Sequence, residues 1–145
     1  MAGFKNNPSY PATQINGVIG ADVSLAQNVL TTVQTTASLA AGTWLITFAG
    51  NFYVAVALES IDYEVVLGTA LGALSGNLSG TTGYTTAGTN TYSKGSLSFV
   101  ATITTAGTLT FQAQMTGAAT AAAAKAASLT RGTPGATGYV ALKIG

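Results

Sequence analysis

The residues best placed to do chemistry are acidic, and three of the four carboxylates in the chain are Glu59, Asp62 and Glu64. In an extended strand Asp62 and Glu64 would lie on one face, opposite Ile61 and Tyr63. Such a cluster suggests either a calcium site or the carboxylate pair of a glycoside hydrolase. Calcium usually takes about six or more oxygen ligands, and a glycosidase needs a cleft and a carboxyl of raised pKa. Because the chain has no Asp-rich loop, we favour a solvated strand face over either site.

Two residue types that are central to catalysis and metal binding are missing from the sequence. The chain has no His and no Cys, which removes the commonest general base and every thiolate ligand or disulfide. We therefore expect no enzymatic activity, no cofactor and no small-molecule substrate.

The basic residues are scattered along the chain rather than clustered. They are Lys5, Lys94, Lys125, Arg131 and Lys143. Nucleic-acid binding needs a basic patch or stripe, so we do not expect a nucleic-acid partner. We also expect no membrane span, because the apolar run from Trp44 is shorter than the roughly 20 residues that a bilayer requires.

A loop rich in Gly and Thr carries a second set of candidate contact residues. Residues 80–90 have the composition of a long exposed loop. Tyr84 and Tyr92, flanked by Gly, Thr and Ser, resemble the residues of adaptable binding loops. A plain surface loop is the interpretation we favour, and a contact loop is the alternative.

The charge content is low: charged residues make up 6% of the chain and the net charge is +1. Typical proteins carry roughly a quarter charged residues, so the polar surface must consist of Thr, Ser, Asn, Gln and Gly. A surface with so little self-repulsion favours association, and an obligate oligomer would bury much of it.

The elements that must position these residues are β-strands, and the most apolar stretch is Gly42–Leu58. Alternate residues point to opposite sides of a strand, so Trp44, Ile46 and Phe48 share one face. The other face is not strongly polar, which predicts a strand covered on both sides. Gly50 and Asn51 predict a bulge or a turn within this stretch.

Three further segments alternate as strands do. Ser96–Thr105 places Phe99 inward and Leu109–Met115 places Phe111 inward, and the short connection predicts a hairpin between them. The last segment, Tyr139–Gly145, predicts a closing strand. With the earlier segments this gives about eight strands, which predicts an all-β antiparallel jelly-roll sandwich over residues 21–145.

Two segments do not fit the strand pattern. Residues 1–20 carry prolines and no sustained period, which predicts an extended N-terminal arm. Its apolar side chains favour docking on a neighbour over a frayed end, and the candidates are Phe4, Tyr10, Ile15 and Val18. The Ala tract 117–130 has helical propensity without a clear cap, so it could form a helix, a strand or a loop.

The ends of two strands resemble those of a known family. Ala41 to Trp44 opens a strand and Ala141 to Gly145 ends the sheet much as in the complement-globular-head and tumour-necrosis-factor-like jelly rolls. The likeness is strongest to the versions found in tailed-phage virion proteins. It covers roughly residues 22–145, and the Ala tract departs from it.

The resemblance implies a homotrimer without enzymatic activity, in which aromatic residues of the inner sheet lie near the threefold axis. The expected core and trimer residues are Trp44, Ile46, Phe48, Phe99, Phe111 and Tyr139. It also implies a capsid decoration (cement) protein on the capsid exterior, with the major capsid protein as partner. The alternative is a trimeric tail-fibre or receptor-binding knob that contacts host glycans through Tyr84 and Tyr92.

Overall fold

The protein is an all-β sandwich in a computed structural model that describes residues 13–54, 60–82, 91–116, 122–126 and 135–145. Every regular element within these residues is a strand, and none of them forms a helix able to cross a membrane. The strands are β1 (Gln14–Val18), β2 (Val23–Leu25), β3 (Thr31–Thr35), β4 (Gly42–Val54), β5 (Ser60–Leu67), β6 (Leu71–Gly76), β7 (Ser79–Thr81), β8 (Thr91–Thr105), β9 (Leu109–Thr116), β10 (Ala122–Ala124) and β11 (Gly138–Lys143).

Two antiparallel sheets pack face to face in jelly-roll order. The seven-stranded sheet runs β1-β11-β4-β8-β6, and β10 and β2 extend it beside the second half of β4. The four-stranded sheet runs β3-β9-β5-β7. The predicted jelly-roll sandwich is therefore confirmed. The described residues form eleven strands where about eight were expected. Three of them, β2, β7 and β10, have three residues each and are too short to show a period.

The core between the sheets is built from the inward halves of the long strands. In β9 every second residue is buried, and Phe111 lies at the centre of an aromatic cluster. Its ring stacks on Phe48 with centroids 4.4 Å apart and packs against Tyr139 and Phe99 at 6.0 and 6.2 Å. All six expected core residues, including Trp44 and Ile46, are at most 5% exposed.

The hairpin expected between β8 and β9 is wrong, although both strands and their inward faces are right. β8 pairs with β4 and β6, whereas β9 pairs with β3 and β5 in the other sheet. The connection crosses from one sheet to the other at Gly107, which exchanges backbone hydrogen bonds with Leu39. Both inward faces cover the same core from opposite sides, so alternation shows which side is buried but not which strand is the neighbour.

The predicted arm needs correction at its C-terminal end. Residues 14–18 form β1, which pairs with β11 along its whole length at the edge of the seven-stranded sheet. Ile15 packs on the core and Ile19 is 7% exposed, so both belong to the sandwich. Val18 is 65% exposed on the outer side of the sheet. Phe4 and Tyr10 lie outside the described residues.

Two local expectations are settled by the long strand β4. No turn or bulge interrupts it at Gly50 and Asn51, because its pairing with β8 keeps one register from Gly42 to Val54. In the Ala tract, Ala122–Ala124 forms β10 between β2 and β4 rather than a helix. Two neighbouring strands with open hydrogen-bonding edges override the intrinsic preference of alanine for helix.

Candidate functional site

A weakly charged surface with exposed apolar side chains lies on the outer side of the seven-stranded sheet, which we call the open face. The centre of this face belongs to β4, where Leu45, Thr47 and Ala49 alternate with the buried aromatic residues. Leu45 is 41% exposed, so the expectation that β4 is covered on both sides is not met within one chain. The neighbouring strands add further outward residues to the face, both polar and apolar, namely Gln14, Asn16, Val18, Ser96, Ser98, Val100, Val140 and Leu142.

A shallow groove of about 480 Å³ runs across the open face between β1, β11 and β4. Its floor is low at Gly138, which faces outward. A Cβ on Gly138 would lie 2.4 Å from the carbonyl oxygen of Gly17 and 2.9 Å from Cγ1 of Val18. Val18 and Val140 form part of the lining. The close approach of β1 to β11 thus leaves a depression on the outside of the sheet.

A second depression of about 280 Å³ continues the groove along β4 and β8. The two depressions share Ala49 and Ala136. Lys94 lines the second one and is the charged residue that β8 contributes to the open face. The middle of the face, between β1 and β8, is uncharged over the residues that the structure describes.

Two tyrosines stand at one end of the open face. Tyr53 of β4 lies opposite Tyr92 of β8, with ring centroids 5.3 Å apart and the planes tilted by 53°. Tyr92 is 41% exposed. Of the two tyrosines predicted to lie in a contact loop, Tyr92 instead lies in β8 and points outward. Tyr84 lies outside the described residues.

The ion pair between Lys125 and Asp22 lies beside the tyrosine pair. The ammonium of Lys125 is 5.8 Å from the ring centroid of Tyr53, and the Ala126 N–H donates to Oδ1 of Asp22 at 2.8 Å. Hydrogen bonding to the Lys125 ammonium, followed by the Ala126 N–H, holds the pKa of Asp22 below its ordinary value. The same contact raises the pKa of Lys125. The pair joins the chain after β10 to the residues that precede β2.

The outer side of the four-stranded sheet, which we call the polar face, differs sharply from the open face. It carries Asp62 and Glu64 on β5 beside Gln112 and Gln114 on β9. The Thr81 hydroxyl donates to Oδ1 of Asp62 at 2.7 Å. Charge is therefore segregated: the sheet that leaves an apolar face exposed is not the sheet that carries these carboxylates.

The acidic cluster does not form a reactive centre in the part of the chain that is described. Asp62 and Glu64 are brought together as expected, on one side of β5, whereas Glu59 lies outside the described residues. No group of three or more His, Cys, Asp or Glu side chains gathers there in a way that could hold a metal ion. The arrangement offers hydrogen bonds and contact area rather than a nucleophile beside a base.

Comparison of the sequence with protein-family models and with curated proteins finds no match. The interpretation of function therefore depends on the geometry of the chain itself and on the motifs named above.

Three features of the open face were missed by reasoning from the sequence. Val140 and Tyr53 were not singled out, and the groove over Gly17 and Gly138 has no signal in the sequence pattern. Val140 could have been found, because it alternates with Tyr139 and Ala141 in a strand that has to face outward at every second residue.

Proposed function

We propose that the protein is a structural virion protein that associates with copies of itself through the open face and stabilises a capsid from outside. The observation that carries the proposal is a nearly uncharged sheet face, with a groove lined by Val18, Ala49 and Val140, left exposed in the single chain. Monomeric proteins rarely leave large contiguous apolar patches in water. The work of such a protein is contact.

The size of the open face supports a stable interface. The five strands β1, β11, β4, β8 and β6 have 5, 6, 13, 15 and 6 residues. At about 3.3 Å per residue and about 4.8 Å between strands, their outer side covers roughly 700 Å². A standard protein interface buries about 800 Å² on each partner.

The electrostatics of the open face favour a second copy as its occupant. A face with little charge meets its own copy without like-charge repulsion, whereas a strongly charged face would not. The number of three copies, and the capsid as target, come from the resemblance to the phage jelly rolls. The proposed contacts between copies differ from the expected ones. Trp44, Phe48 and Phe111 fill the core of the single chain, so the surface available for contact consists of Leu45, Val140 and their neighbours.

The proposal is tested by placing one charge on each face. Thr47→Lys puts an ammonium in the middle of the open face, and Thr32→Lys is the matched control on the polar face, where Thr32 lies opposite Gln112. Sedimentation velocity should show that Thr47→Lys lowers the mass to that of one chain, whereas Thr32→Lys leaves the mass of the wild type. Equal masses for the two variants would remove the open face from the association.

A second experiment tests the capsid as partner. Capsid shells of the encoding virus, prepared without this protein, should bind the wild type. Because residues 14–18 are part of the sheet, the deletion that tests the arm is residues 1–12. A deletion of residues 1–20 would also remove β1 and leave the edge of β11 without its hydrogen-bonding partner. If the 1–12 deletion binds as tightly as the full chain, the arm has no part in attachment.

The tyrosine pair favours the alternative function, a receptor-binding knob. An exposed aromatic ring beside hydroxyl-rich chain can stack on a sugar, and Tyr92 is exposed next to Tyr53. A pull-down with host cells, comparing the wild type with Tyr92→Ala, separates the two functions. Cell binding that is lost in Tyr92→Ala, without binding to capsid shells, would replace our proposal by the alternative.

A further inference from the structure

Strand β1 lies at an edge of the seven-stranded sheet, and β11 is its one partner strand among the described residues. The Lys143 N–H donates to the Thr13 carbonyl at 2.9 Å, and the Ile19 N–H donates to the Thr137 carbonyl at 3.0 Å. Bonded and non-bonded pairs alternate along an antiparallel ladder, so the odd-numbered residues of β1 bond to β11. The N–H and C=O groups of the even-numbered residues therefore point away from the sheet. These residues are Gln14, Asn16 and Val18.

The free edge of β1 lacks the protection that the other described edges have. Natural proteins keep edge strands from pairing with other chains by bulges, prolines, charges or short length. Strands β2 and β7 have three residues each, and the pairing of β3 and of β6 is interrupted by a shift of register. Strand β1 has five residues in one continuous register, and none of them is proline or charged. Among the described edges, β1 therefore offers the most regular ladder to a further strand.

The side chains along this edge are accessible. Gln14, Asn16 and Val18 are exposed on the open face, and Val18 is 65% exposed. Asn16 and Val18 also line the groove of about 480 Å³. A strand that pairs with β1 would thus meet uncharged side chains and continue the outer side of the sheet.

The free ladder of β1 is complementary to a copy of itself. Two β1 strands can run antiparallel about a twofold axis at Asn16, which places Gln14 of one copy opposite Val18 of the other. Each of these residues has a free N–H and a free C=O, so this register pairs all of their free backbone groups. A shift by two residues would leave Gln14 or Val18 without a partner. The contact is isologous, since both copies use the same patch.

We infer that the free edge of β1 binds the β1 strand of a second copy, antiparallel about Asn16, so that the sheet continues from one copy into the next. The contact lies in the plane of the sheet and is separate from the open face. A strand of this length spans only about 17 Å, so the contact is much smaller than the roughly 800 Å² per partner of a standard interface.

A contact of this size is weak between free copies at micromolar concentration and becomes effective where copies are held side by side. A capsid surface would hold them in that way. This role rests on the proposed function: the edge contact would join neighbouring trimers across twofold positions of the shell. The pairing itself needs no capsid and is tested without one.

The first test uses single cysteines, because the chain has none of its own. In Asn16→Cys the two thiols would face each other across the axis, with Cα atoms about 5.5 Å apart, which suits a disulfide. Oxidation of the full chain should give covalent dimers. In the matched control Gln14→Cys, on the same face, the thiols would lie roughly 14 Å apart, and the yield should be at least tenfold lower. Equal yields, or no dimer from Asn16→Cys, would overturn the inference.

The second test checks the register. Gln14→Cys mixed with Val18→Cys should give the mixed dimer, identified by mass spectrometry with one protein labelled with ¹⁵N, whereas each variant alone should give little dimer. Asn16→Pro, added to both proteins, removes a free N–H and leaves the hydrogen bonds to β11 in place, so the mixed dimer should fall at least tenfold. An unchanged yield would show that the edge is not the contact.

A third comparison asks whether the chain covers its own edge. Asn16→Cys is oxidised with and without residues 1–12, and the two proteins should cross-link to a similar extent. A dimer that forms only after the deletion would mean that residues 1–12 occupy the edge, and would overturn the inference.

The pairing and the proposed function can fail separately. Asn16→Cys should still cross-link when it is combined with Thr47→Lys, which places its charge on the open face. If capsid shells do not bind the wild type but the cross-linking pattern holds, the capsid role fails and the pairing stands. If shells bind the wild type and the pattern is absent, the capsid role stands and the inference is wrong.

Discussion

Replacement of Phe111 by alanine is the sharpest test of how the two sheets are held together. The ring is fully buried and contacts Phe48 and Phe99 of the opposite sheet, together with Tyr139. A Phe→Ala change in a core costs about 3–5 kcal/mol, since the cavity collapses only in part. Domains of this kind have a total unfolding free energy of about 5–15 kcal/mol, so the variant should lose roughly 10–15 °C in Tm.

The assay uses the single tryptophan of the chain. Trp44 is 1% exposed and its indole N–H donates to the Ala40 carbonyl at 2.9 Å, so its fluorescence should report global unfolding in urea. All variants are compared at one chain concentration, because association adds to the apparent stability. Gln112→Ala, a half-buried neighbour that faces outward, is the control and should stay within about 0.5 kcal/mol of the wild type. A loss below about 1 kcal/mol for Phe111→Ala would refute the position of β9 over the core.

Three further predictions follow from single contacts. Trp44→Ala should lower the unfolding free energy by about 3–5 kcal/mol, measured by circular dichroism, and a wild-type melting curve would mean that β4 is misplaced. Gly138→Ala should destabilise the fold by about 1–3 kcal/mol, since its Cβ would lie 2.4 Å from a backbone oxygen, whereas Gly20→Ala meets nothing within 4 Å and should be neutral. The small stabilisation that Asp22 gives relative to Asp22→Asn should be present above its ordinary pKa of 3.8 and vanish as the pH falls through its lowered folded-state pKa. Thermal melts of both proteins between pH 2 and pH 7 measure this, and a difference that persists at the acid end would contradict the ion pair.

The buried faces of the strands could be predicted from the sequence, because strict alternation is a local property. The period of two places Phe99 and Phe111 inward, and the structure buries both. The partner of each strand could not be predicted in this way. Nothing in the local sequence distinguishes a hairpin at Gly107 from a connection that crosses to the other sheet. The crossing depends on a distant part of the chain, because a Cβ on Gly107 would lie 2.4 Å from the backbone nitrogen of Ala70.

The candidate surfaces could be predicted only in part, because the local sequence does not show which strands pair. Low charge indicated association, but the separation of an apolar face from a polar face depends on which strands share a sheet. The alanines of β10 illustrate this, since their strand state is imposed by β2 and β4 on either side. The groove over Gly138 depends on the close approach of Gly17, more than a hundred positions away in the sequence.

The central claim is that copies of this chain join through a nearly uncharged sheet face, and the mass of the wild type in solution tests it most directly. Sedimentation equilibrium at micromolar concentration should give about 43 kDa, three times the 14.4 kDa of one chain. A single species of 14.4 kDa that persists as the concentration rises would contradict the account.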